Sequence, residues 1–353
     1  MVYDKIKLFI CRLKMIILAI ESSCDDTSAA IVEDGFVLSN TTSTQNIHEQ
    51  YGGVVPEVAS RQHHIDIVPV VLHALRQGKK QVSDIQAVAY TKGPGLLGSL
   101  LVGSSFAKAL AYTLNVPLIE VHHMKAHIMA HFIDDPKPEL PFLCLTVSGG
   151  HTQIVKISGK MQMDILGQTI DDAAGEAFDK TGKMLGLGYP AGPEIDRRAA
   201  LGKPIFKFSE ANLQGFDFSF SGFKTSVLYF LKSQVKEDPH FIENNLNDLC
   251  SSVQNSILNM LLSKLEKAAR ETGIKQIAIA GGVAANRGLR QRLTDMALKL
   301  NWQVYIPEFQ YCTDNAGMIA IAAWYKFQNG ELAELTSSPE PRWRMEDDQL
   351  NLF

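Results

Sequence analysis

The spacing of apolar and polar positions predicts a sheet-based protein whose two halves share one architecture. In the first half, short apolar runs bounded by polar turns indicate strands, and longer stretches with apolar residues at helical spacing indicate helices. The predicted elements are strands at 16–20, 28–33, 36–42, 85–90 and 117–121 and helices at 57–77 and 97–114. The first three strands are expected to form an antiparallel meander.

The second half repeats this order of elements. Its predicted elements are strands at 142–147, 152–157, 161–166, 276–280 and 302–306 and helices at 286–300 and 313–327. We therefore predict an α/β protein with a first lobe over 15–131 and a second over 132–335, the second interrupted by a mostly helical insertion at about 171–275. Residues 1–14 are predicted to be an N-terminal extension or a misassigned start, and residues 336–353 a flexible tail.

Composition excludes several classes of protein. A chain of 353 residues with 46% apolar and 20% charged positions is typical of a globular protein with two cores. No run of about 18 apolar residues is present, so no membrane span is expected. The five cysteines lack a Cys-x-x-Cys pair and indicate reduced thiols in a cytoplasmic protein.

The formal charge of −4 argues against a protein that coats nucleic acid nonspecifically. A local basic face remains compatible with this charge, as does a scatter of solvated surface residues. The candidates for such a face are Arg61, Lys183, Arg197, Arg198, Lys203, Lys207, Lys224, Arg287, Arg290 and Arg292.

Three glycine-containing turns follow predicted strands: Lys92-Gly-Pro-Gly95, Ser148-Gly-Gly-His151 and Ala280-Gly-Gly-Val283. Glycine lets backbone N–H groups approach a phosphate closely, and a following helix adds a favourable dipole. Three such turns in similar lobes predict a phosphate-binding cleft. None has the Walker A or Gly-x-Gly-x-x-Gly spacing, which argues against P-loop kinases and Rossmann enzymes.

Two histidines and one aspartate form a candidate metal site. His123 and His127 lie one turn apart on a predicted helix, and Asp314 follows the last predicted strand of the second half at the equivalent place. Two imidazoles and a carboxylate with open positions suit iron(II) or zinc. A polar helix face is the alternative for the histidine pair alone.

Several further carboxylates are candidates for chemistry or for local structure. Glu21 and Asp25 follow the first strand, where they could orient water or a metal. Asp179 and Asp196 flank a glycine-containing stretch and could accept hydrogen bonds from a ribose, although a structural role is the alternative. Asp171-Asp172 is predicted to cap the helix that follows it.

Several longer motifs resemble one family. They are Ile20-Glu-Ser-Ser-Cys-Asp-Asp-Thr27, Tyr51-Gly-Gly-Val-Val-Pro-Glu-Val-Ala-Ser-Arg61, Lys92-Gly-Pro-Gly-Leu-Leu-Gly98, His123–His127, Val147-Ser-Gly-Gly-His-Thr152, Asp171-Asp-Ala-Ala-Gly-Glu-Ala-Phe-Asp-Lys180, Gly281-Gly-Val-Ala-Ala-Asn286 and Asp314-Asn315. Together they resemble the tRNA N6-adenosine threonylcarbamoyltransferase family, from about residue 15 to residue 329. The resemblance implies the actin-like, Hsp70-like ATPase fold, with two ribonuclease-H-like lobes around a nucleotide and metal cleft. The nucleotide that it implies in this cleft is threonylcarbamoyl-AMP or ATP/ADP.

The resemblance also implies an activity and its site residues. The family transfers the threonylcarbamoyl group from threonylcarbamoyl-AMP to N6 of adenosine 37, in tRNAs reading codons that begin with adenine. By position, the metal ligands become His123, His127 and Asp314, with iron(II) the expected ion and zinc or magnesium as alternatives. The implied substrate-binding residues are Thr146, Val147, Ser148, Gly149, Gly150, Asp179, Gly192, Asp196 and Asn286. Glu21 and Asp25 remain candidates for the catalytic base.

The resemblance implies partners as well. They are the tRNA substrate, a shorter noncatalytic paralogue that forms a heterodimer with the chain, and a small P-loop ATPase subunit, all in the cytoplasm. The predicted helices 57–77 and 97–114 could present the face that docks the paralogue. The chain departs from the family pattern inside its metal motif: where His-Met-Glu-Gly-His is usual, Lys125 and Ala126 occupy the inner positions.

Three other functions are weaker interpretations of these residues. The family was formerly called a glycoprotease, but a zinc peptidase needs a glutamate directly after the first histidine, and Met124 stands there. Sugar and acetate kinases of the same fold work without a two-histidine clamp. A noncatalytic paralogue would lack the histidine pair and most of the second-lobe phosphate motifs.

Overall fold

The computed structural model describes residues 14–211 and 213–347, which form alternating strands and helices. The strands are β1 (Ile16–Glu21), β2 (Asp26–Glu33), β3 (Phe36–Thr44), β4 (Ala87–Gly93), β5 (Leu118–His122), β6 (Phe142–Val147), β7 (Thr152–Gly159), β8 (Gln162–Gln168), β9 (Gln276–Ala280) and β10 (Gln303–Tyr305). The helices are α1 (Pro56–Gln77), α2 (Leu97–Leu114), α3 (His123–Met129), α4 (Ala174–Met184), α5 (Gly192–Ala199), α6 (Ser221–Glu237), α7 (Phe241–Asn244), α8 (Leu246–Thr272), α9 (Arg287–Leu300) and α10 (Ala316–Gln328). Of the predicted N-terminal extension, residues 1–13 lie outside the described part of the chain.

The first sheet is centred on β1, whose six residues are all buried. Its strand order is β3-β2-β1-β4-β5, with β1 antiparallel to β2 and parallel to β4. The β2–β3 hairpin turns through Asp34 and Gly35, which have φ angles of 50° and 87°. Two such left-handed residues match the twist of a tight hairpin. The predicted three-stranded meander is confirmed.

The second sheet repeats this path with β6 as its central strand. Its order is β10-β9-β6-β7-β8, with β6 antiparallel to β7 and parallel to β9. Each central strand therefore has a hairpin on one side and helix-connected parallel strands on the other. The architectural repeat predicted from the hydrophobic pattern is confirmed.

The chain divides into two compact units whose boundaries differ from the predicted lobes. Among the described residues, one unit comprises 14–44, 60–123 and 315–342, and the other comprises 45–59, 124–314 and 343–347. Residues 124–131, predicted in the first lobe, belong to the second unit. Residues 315–335, predicted in the second lobe, belong to the first.

Residues 315–335 belong to the first unit mainly because helix α10, which they contain, packs on the first sheet. Asn315 caps the helix by accepting a hydrogen bond from the Met318 amide at 3.0 Å. The Ala316 amide then donates to the Ser28 hydroxyl in β2 at 2.8 Å. The order of elements along a chain does not say which sheet an apolar helix will cover, and the predicted assignment is corrected on that ground.

The predicted helical insertion contains α4 to α8, which contribute much of the core of the second unit. The sequence predicted that Asp171 caps the helix that follows it, and this prediction is wrong. Its carboxylate accepts a hydrogen bond from the Phe220 amide at 2.8 Å and so caps α6, 49 residues away. Asp172 forms ion pairs with Lys180 at 2.9 Å and Lys224 at 2.8 Å.

The described part of the C-terminal tail is packed, which corrects the prediction of a flexible segment. The Glu340 carboxylate lies 3.0 Å from Lys92 Nζ, and the Glu340 amide donates to the Lys92 carbonyl at 2.8 Å. Farther along, Trp343 is 5% exposed and Met345 is 3% exposed. Both backbone and side-chain contacts therefore hold this segment against the rest of the protein.

Within residues 14–211 and 213–347, helix α2 is long and apolar enough to cross a membrane, by length and composition alone. The core helix of a globular protein can have the same length and composition. A Cβ placed on its Gly103 would lie 2.2 Å from the Ser22 hydroxyl oxygen, so the helix backbone packs closely on the turn after β1. This close approach explains the small residues on its buried side.

His131 makes the stability of the second unit dependent on pH. It is buried, its Nε2 lies 3.0 Å from the Ile279 carbonyl oxygen, and burial lowers its pKa from 6.5 to about 4. Between these pH values the unfolded chain takes up a proton that the folded protein does not, so stability falls as the pH drops from 6.5 to 4. The loss amounts to about 3 kcal/mol. In urea unfolding at pH 7.5 and pH 4.5, His131→Gln should show a smaller difference than wild type. An unchanged difference would contradict this assignment.

Candidate active site

The histidine helix α3 begins directly after β5, at His123. His123 and His127 are 7% and 1% exposed and lie one helical turn apart. Met124 and Ile128 are also buried and fix the helix in the protein interior. Lys125, at the position where the family motif has glutamate, is buried as well.

His123, His127 and Asp314 come together as the sequence predicted. His127 Nε2 lies 3.2 Å from Asp314 Oδ1 within the second unit. The division between the units falls after His123, inside helix α3, so one helix holds both histidines at a fixed spacing. The candidate ligand atoms of all three residues lie within 4.8 Å of one another. Two imidazoles and a carboxylate in this arrangement could hold a divalent transition metal.

Glu21, a predicted catalytic base, is fully buried at the end of β1. One carboxylate oxygen accepts from the Ser23 amide at 2.5 Å, and the other accepts from the Thr91 hydroxyl at 2.5 Å. The second oxygen also lies 3.2 Å from His123 Nδ1. A carboxylate behind a histidine ring is the arrangement that fixes the orientation and basicity of metal-binding histidines. These contacts favour a role in holding His123 over a role as base.

Replacing Glu21 should therefore weaken metal binding. Glu21→Gln keeps the size of the side chain but removes the charge that faces His123, and a change of this kind typically costs ~10–100-fold in metal affinity. The measurement is a titration with Co²⁺ followed by visible absorption. Asp25→Asn is the matched control, since it lies in the same turn, and it should bind like wild type. Equal affinities for Glu21→Gln and wild type would refute the supporting role.

Asp25, the other predicted catalytic residue, is half-buried in the turn after β1. The charge of Asp25 acts on His63, a buried imidazole that contacts the Thr27 hydroxyl at 2.7 Å and the Cys24 carbonyl at 2.9 Å. Burial lowers the pKa of His63, and the charges of Glu21 and Asp25 oppose this effect. Burial is the larger effect, so the pKa of His63 lies below its usual value of 6.5.

The predicted substrate turn after β6 is closed by its own hydrogen bonds and open to solvent at its tip. Thr146 and Val147 are buried in the strand. The Ser148 amide donates to the His151 carbonyl at 2.8 Å, and the Ser148 hydroxyl accepts from the His151 amide at 3.1 Å. Gly149 and Gly150 are exposed, and a Cβ on either would meet nothing within 4 Å. Their backbone can therefore approach a ligand.

Two other glycines pack directly on this turn. Gly281 has a φ of 87°, and a Cβ there would lie 2.4 Å from the Val147 carbonyl oxygen. Gly175, in the first turn of α4, donates its amide to the Ser148 carbonyl at 3.2 Å, and a Cβ there would lie 2.5 Å from the same oxygen. Only glycine allows these approaches, so the turns after β6 and β9 and the start of α4 converge on one point.

The remaining predicted substrate residues connect the starts of neighbouring helices. Asp179 in α4 accepts from the Ala191 amide at 2.8 Å, just before Gly192 begins α5, and burial raises the pKa of its carboxyl. Asp196 in α5 accepts from Arg287 Nε at 2.8 Å and from the Gly288 amide at 3.2 Å, at the start of α9.

Asn286, the last of these residues, is the N-cap of α9. Its side-chain oxygen accepts from the Leu289 amide at 2.8 Å, and its amide nitrogen donates to Gln254 at 2.7 Å. Asp179, Asp196 and Asn286 therefore hold the starts of α5 and α9 in place within the second unit. Helix starts present amide N–H groups that favour an anion.

The third predicted phosphate turn, Lys92-Gly-Pro-Gly95, does not offer its backbone to a ligand. The Gly95 amide donates to the Pro341 carbonyl at 3.1 Å, and the Leu96 amide donates to the Ser23 carbonyl at 2.8 Å. A Cβ on Gly95 would lie 2.5 Å from the Ser23 oxygen. This glycine is required for close packing, and the prediction of a third phosphate-binding turn is corrected.

Two candidates for a basic face, Arg290 and Arg292, are half-buried and bond within the protein. Arg292 donates to Asn255 at 3.3 Å and Asn259 at 2.6 Å. Arg290 donates to two carbonyl groups and a cysteine sulfur. A charged residue on an amphipathic helix resembles a surface residue in the sequence, so these contacts had no sequence signal.

Comparison with known proteins identifies the family of the chain. The family model for tRNA N6-adenosine threonylcarbamoyltransferase matches residues 36–321. Over 335 residues the chain is 54% identical to the tRNA N6-adenosine threonylcarbamoyltransferase of Christiangramia forsetii, covering 94% of this chain and 98% of that protein. Over 334 residues it is 55% identical to the enzyme of the same name from Riemerella anatipestifer, with coverage of 94% and 98%.

Among solved structures, HypF from T. kodakarensis has a similar fold, with a TM-score of 0.59 at 14% identity over 90% of this chain and 48% of that one. The protein is thus an acyltransferase built on the actin-like ATPase fold, as predicted. The chain belongs to the tRNA N6-adenosine threonylcarbamoyltransferase family.

Proposed function

We propose that this protein transfers the threonylcarbamoyl group from threonylcarbamoyl-AMP to N6 of adenosine 37, in tRNAs that read codons beginning with adenine. Family membership supplies the reaction class. The observation that carries the proposal for this chain is the cluster of His123, His127 and Asp314, which a kinase or a peptidase of related fold would not need in this form.

The cluster would hold one divalent metal, with iron(II) proposed and zinc or magnesium as alternatives. Nitrogen ligands from imidazole and one carboxylate favour iron or zinc over magnesium, which prefers oxygen ligands. When bound, the ion would supply Lewis-acid stabilisation to a phosphate oxygen of the donor.

The second-unit turns are proposed to bind the donor. Gly149 and Gly150 are exposed at the tip of the turn after β6 and could present backbone N–H groups to a phosphate or to the carbamoyl oxygen. Asp179, Asp196 and Asn286 would act mainly by holding the helix starts around this turn, since their polar groups already bond within the protein.

The reaction forms a bond between N6 of adenosine and the carbamoyl carbon and breaks the bond from that carbon to the phosphate oxygen, so AMP leaves. N6 is a weak nucleophile because its lone pair is delocalised into the adenine ring. The mixed anhydride has a good leaving group, so positioning of the two substrates should supply most of the acceleration. Asp25 is the better proposed acceptor for the N6 proton, because both oxygens of Glu21 already accept hydrogen bonds.

Partner proteins are proposed to include a shorter noncatalytic paralogue and a small P-loop ATPase. The outer side of α1 and α2 would dock the paralogue. Val68 and Leu101 are 50% and 46% exposed and line a groove of about 610 Å³ there, and Ile65 on the same helix as Val68 is 65% exposed. Such an apolar surface is typical of an interaction site. A cytoplasmic location is proposed from the tRNA substrate and from the free thiols of the four described cysteines.

The test of the proposed function supplies purified protein, partner subunits, threonylcarbamoyl-AMP and unmodified tRNA. Digestion of the tRNA and mass spectrometry of its nucleosides should reveal threonylcarbamoyladenosine at position 37. A tRNA whose position 37 is another base is the control and should stay unmodified. Hydrolysis of the donor without any modified nucleoside, in the presence of both partners, would refute the proposal.

A further inference from the structure

One arginine joins two segments of the second unit. Arg290 lies in the first turns of α9, after Asn286. Its Nε donates to the Ala284 carbonyl at 2.7 Å, in the 3₁₀ turn that follows Gly281. Its terminal NH2 group donates to the Pro307 carbonyl at 3.0 Å and contacts Cys312 Sγ at 3.0 Å.

Residues 307–312, which Arg290 contacts, lead along the chain to Asp314 of the metal cluster. Phe309 packs its ring on the Arg290 guanidinium at 4.3 Å while remaining 61% exposed, so the arginine provides much of its support. Cys312 is fully buried, and its sulfur also lies 3.4 Å from the Glu308 carbonyl oxygen. Asp314 follows two residues later and meets His127 at 3.2 Å.

We propose that Arg290 is a positioning residue that sets the place of Asp314 in the metal cluster and ties it to the turn after β9. The inference rests on the proposed metal site. One side chain holds both ends of the Pro307–Cys312 segment, so its loss would free Asp314 to move relative to His127.

Arginine is the residue that these contacts require. Its donors lie in a rigid planar fork, which can bond two carbonyl groups and a sulfur while its face stacks on a ring. Lysine keeps the charge and the aliphatic stem but has one compact ammonium group, which cannot span the same acceptors. Glutamine keeps neither the charge nor the reach.

The experiment measures Co²⁺ affinity and the visible absorption spectrum of the full chain in its wild-type, Arg290→Lys and Arg290→Gln forms. Arg292→Gln is the matched control, because Arg292 lies on the same helix and bonds to Asn255 and Asn259 instead. Thermal unfolding of each metal-free protein records any general loss of stability. We expect Arg290→Gln to weaken cobalt binding by ~10–100-fold, Arg290→Lys to weaken it less, and Arg292→Gln to leave it within about threefold.

Wild-type affinity in both Arg290 variants would overturn the inference, as would an equal loss in Arg292→Gln, which would indicate general destabilisation. If Arg290→Gln does not fold, Arg290→Lys decides the question, since it retains the stem and charge. A failure of the metal site itself is recognised separately: wild type and His127→Ala would then bind cobalt equally poorly. That result would overturn the site and this inference with it.

Discussion

His127→Ala is expected to lower threonylcarbamoyl transfer to tRNA by on the order of 10³-fold and to remove tight metal binding. The substitution takes one of three ligand atoms from a cluster that spans less than 4.8 Å. A metal that contributes several kcal/mol of charge stabilisation corresponds to about a thousandfold in rate, at about 1.4 kcal/mol per tenfold. The measurement is single-turnover tRNA modification with saturating partners, alongside cobalt titration.

His131→Gln is the matched control for this substitution. His131 is also a buried histidine in the second unit, but it bonds to the Ile279 carbonyl and lies outside the cluster. At pH 7.5 the His131→Gln variant should modify tRNA at a rate within a few-fold of the wild-type rate. Equal rates for His127→Ala and wild type would mean that the reaction does not depend on the cluster.

Gly281→Ala is expected to destabilise the second unit by about 3 kcal/mol. The new Cβ would lie 2.4 Å from the Val147 carbonyl oxygen, in a backbone with φ of 87°. A left-handed conformation costs an L-residue about 1–2 kcal/mol, and forced overpacking adds about 1–3 kcal/mol. The clash is with the backbone of the central strand β6, so neither side can yield cheaply. Urea unfolding measures the loss.

Gly282→Ala provides the comparison for this prediction. Gly282 is the next residue, and a Cβ there would meet nothing within 4 Å. Its substitution should change the free energy of unfolding by less than about 1 kcal/mol. Similar losses in the two variants would show that the approach of Gly281 to β6 is not what requires glycine.

The fold was predictable from the sequence where the signal is local. The buried runs of β1 and β6, the Asp34-Gly35 turn and the spacing of apolar residues in α1 each depend on neighbours along the chain. The clustering of His123, His127 and Asp314 was also predicted. Helical spacing puts the two histidines on one face, and the equivalent place of Asp314 in the second half, together with the family resemblance, pairs it with them.

The parts that could not be predicted depend on contacts between distant residues. Asp171 caps a helix 49 residues away, although a helix begins right beside it. Glu21 looked like a candidate base, and only the fold places it behind His123, 102 residues farther along the chain. The glycine at position 95 has the sequence features of a phosphate turn, but the tail and Ser23 already bind that backbone.

The division of the chain has a consequence for synthesis on the ribosome. The second unit includes one continuous stretch, 124–314, whereas the first needs helix α10 and the packed segment up to residue 342. Domains that emerge first usually fold first. Here, however, residues 14–44 and 60–123 complete their unit only after residues 315–342 have been synthesised. The face of the first sheet that α10 covers therefore stays exposed until residues 316–328 have been synthesised, and a chaperone would matter most during this interval.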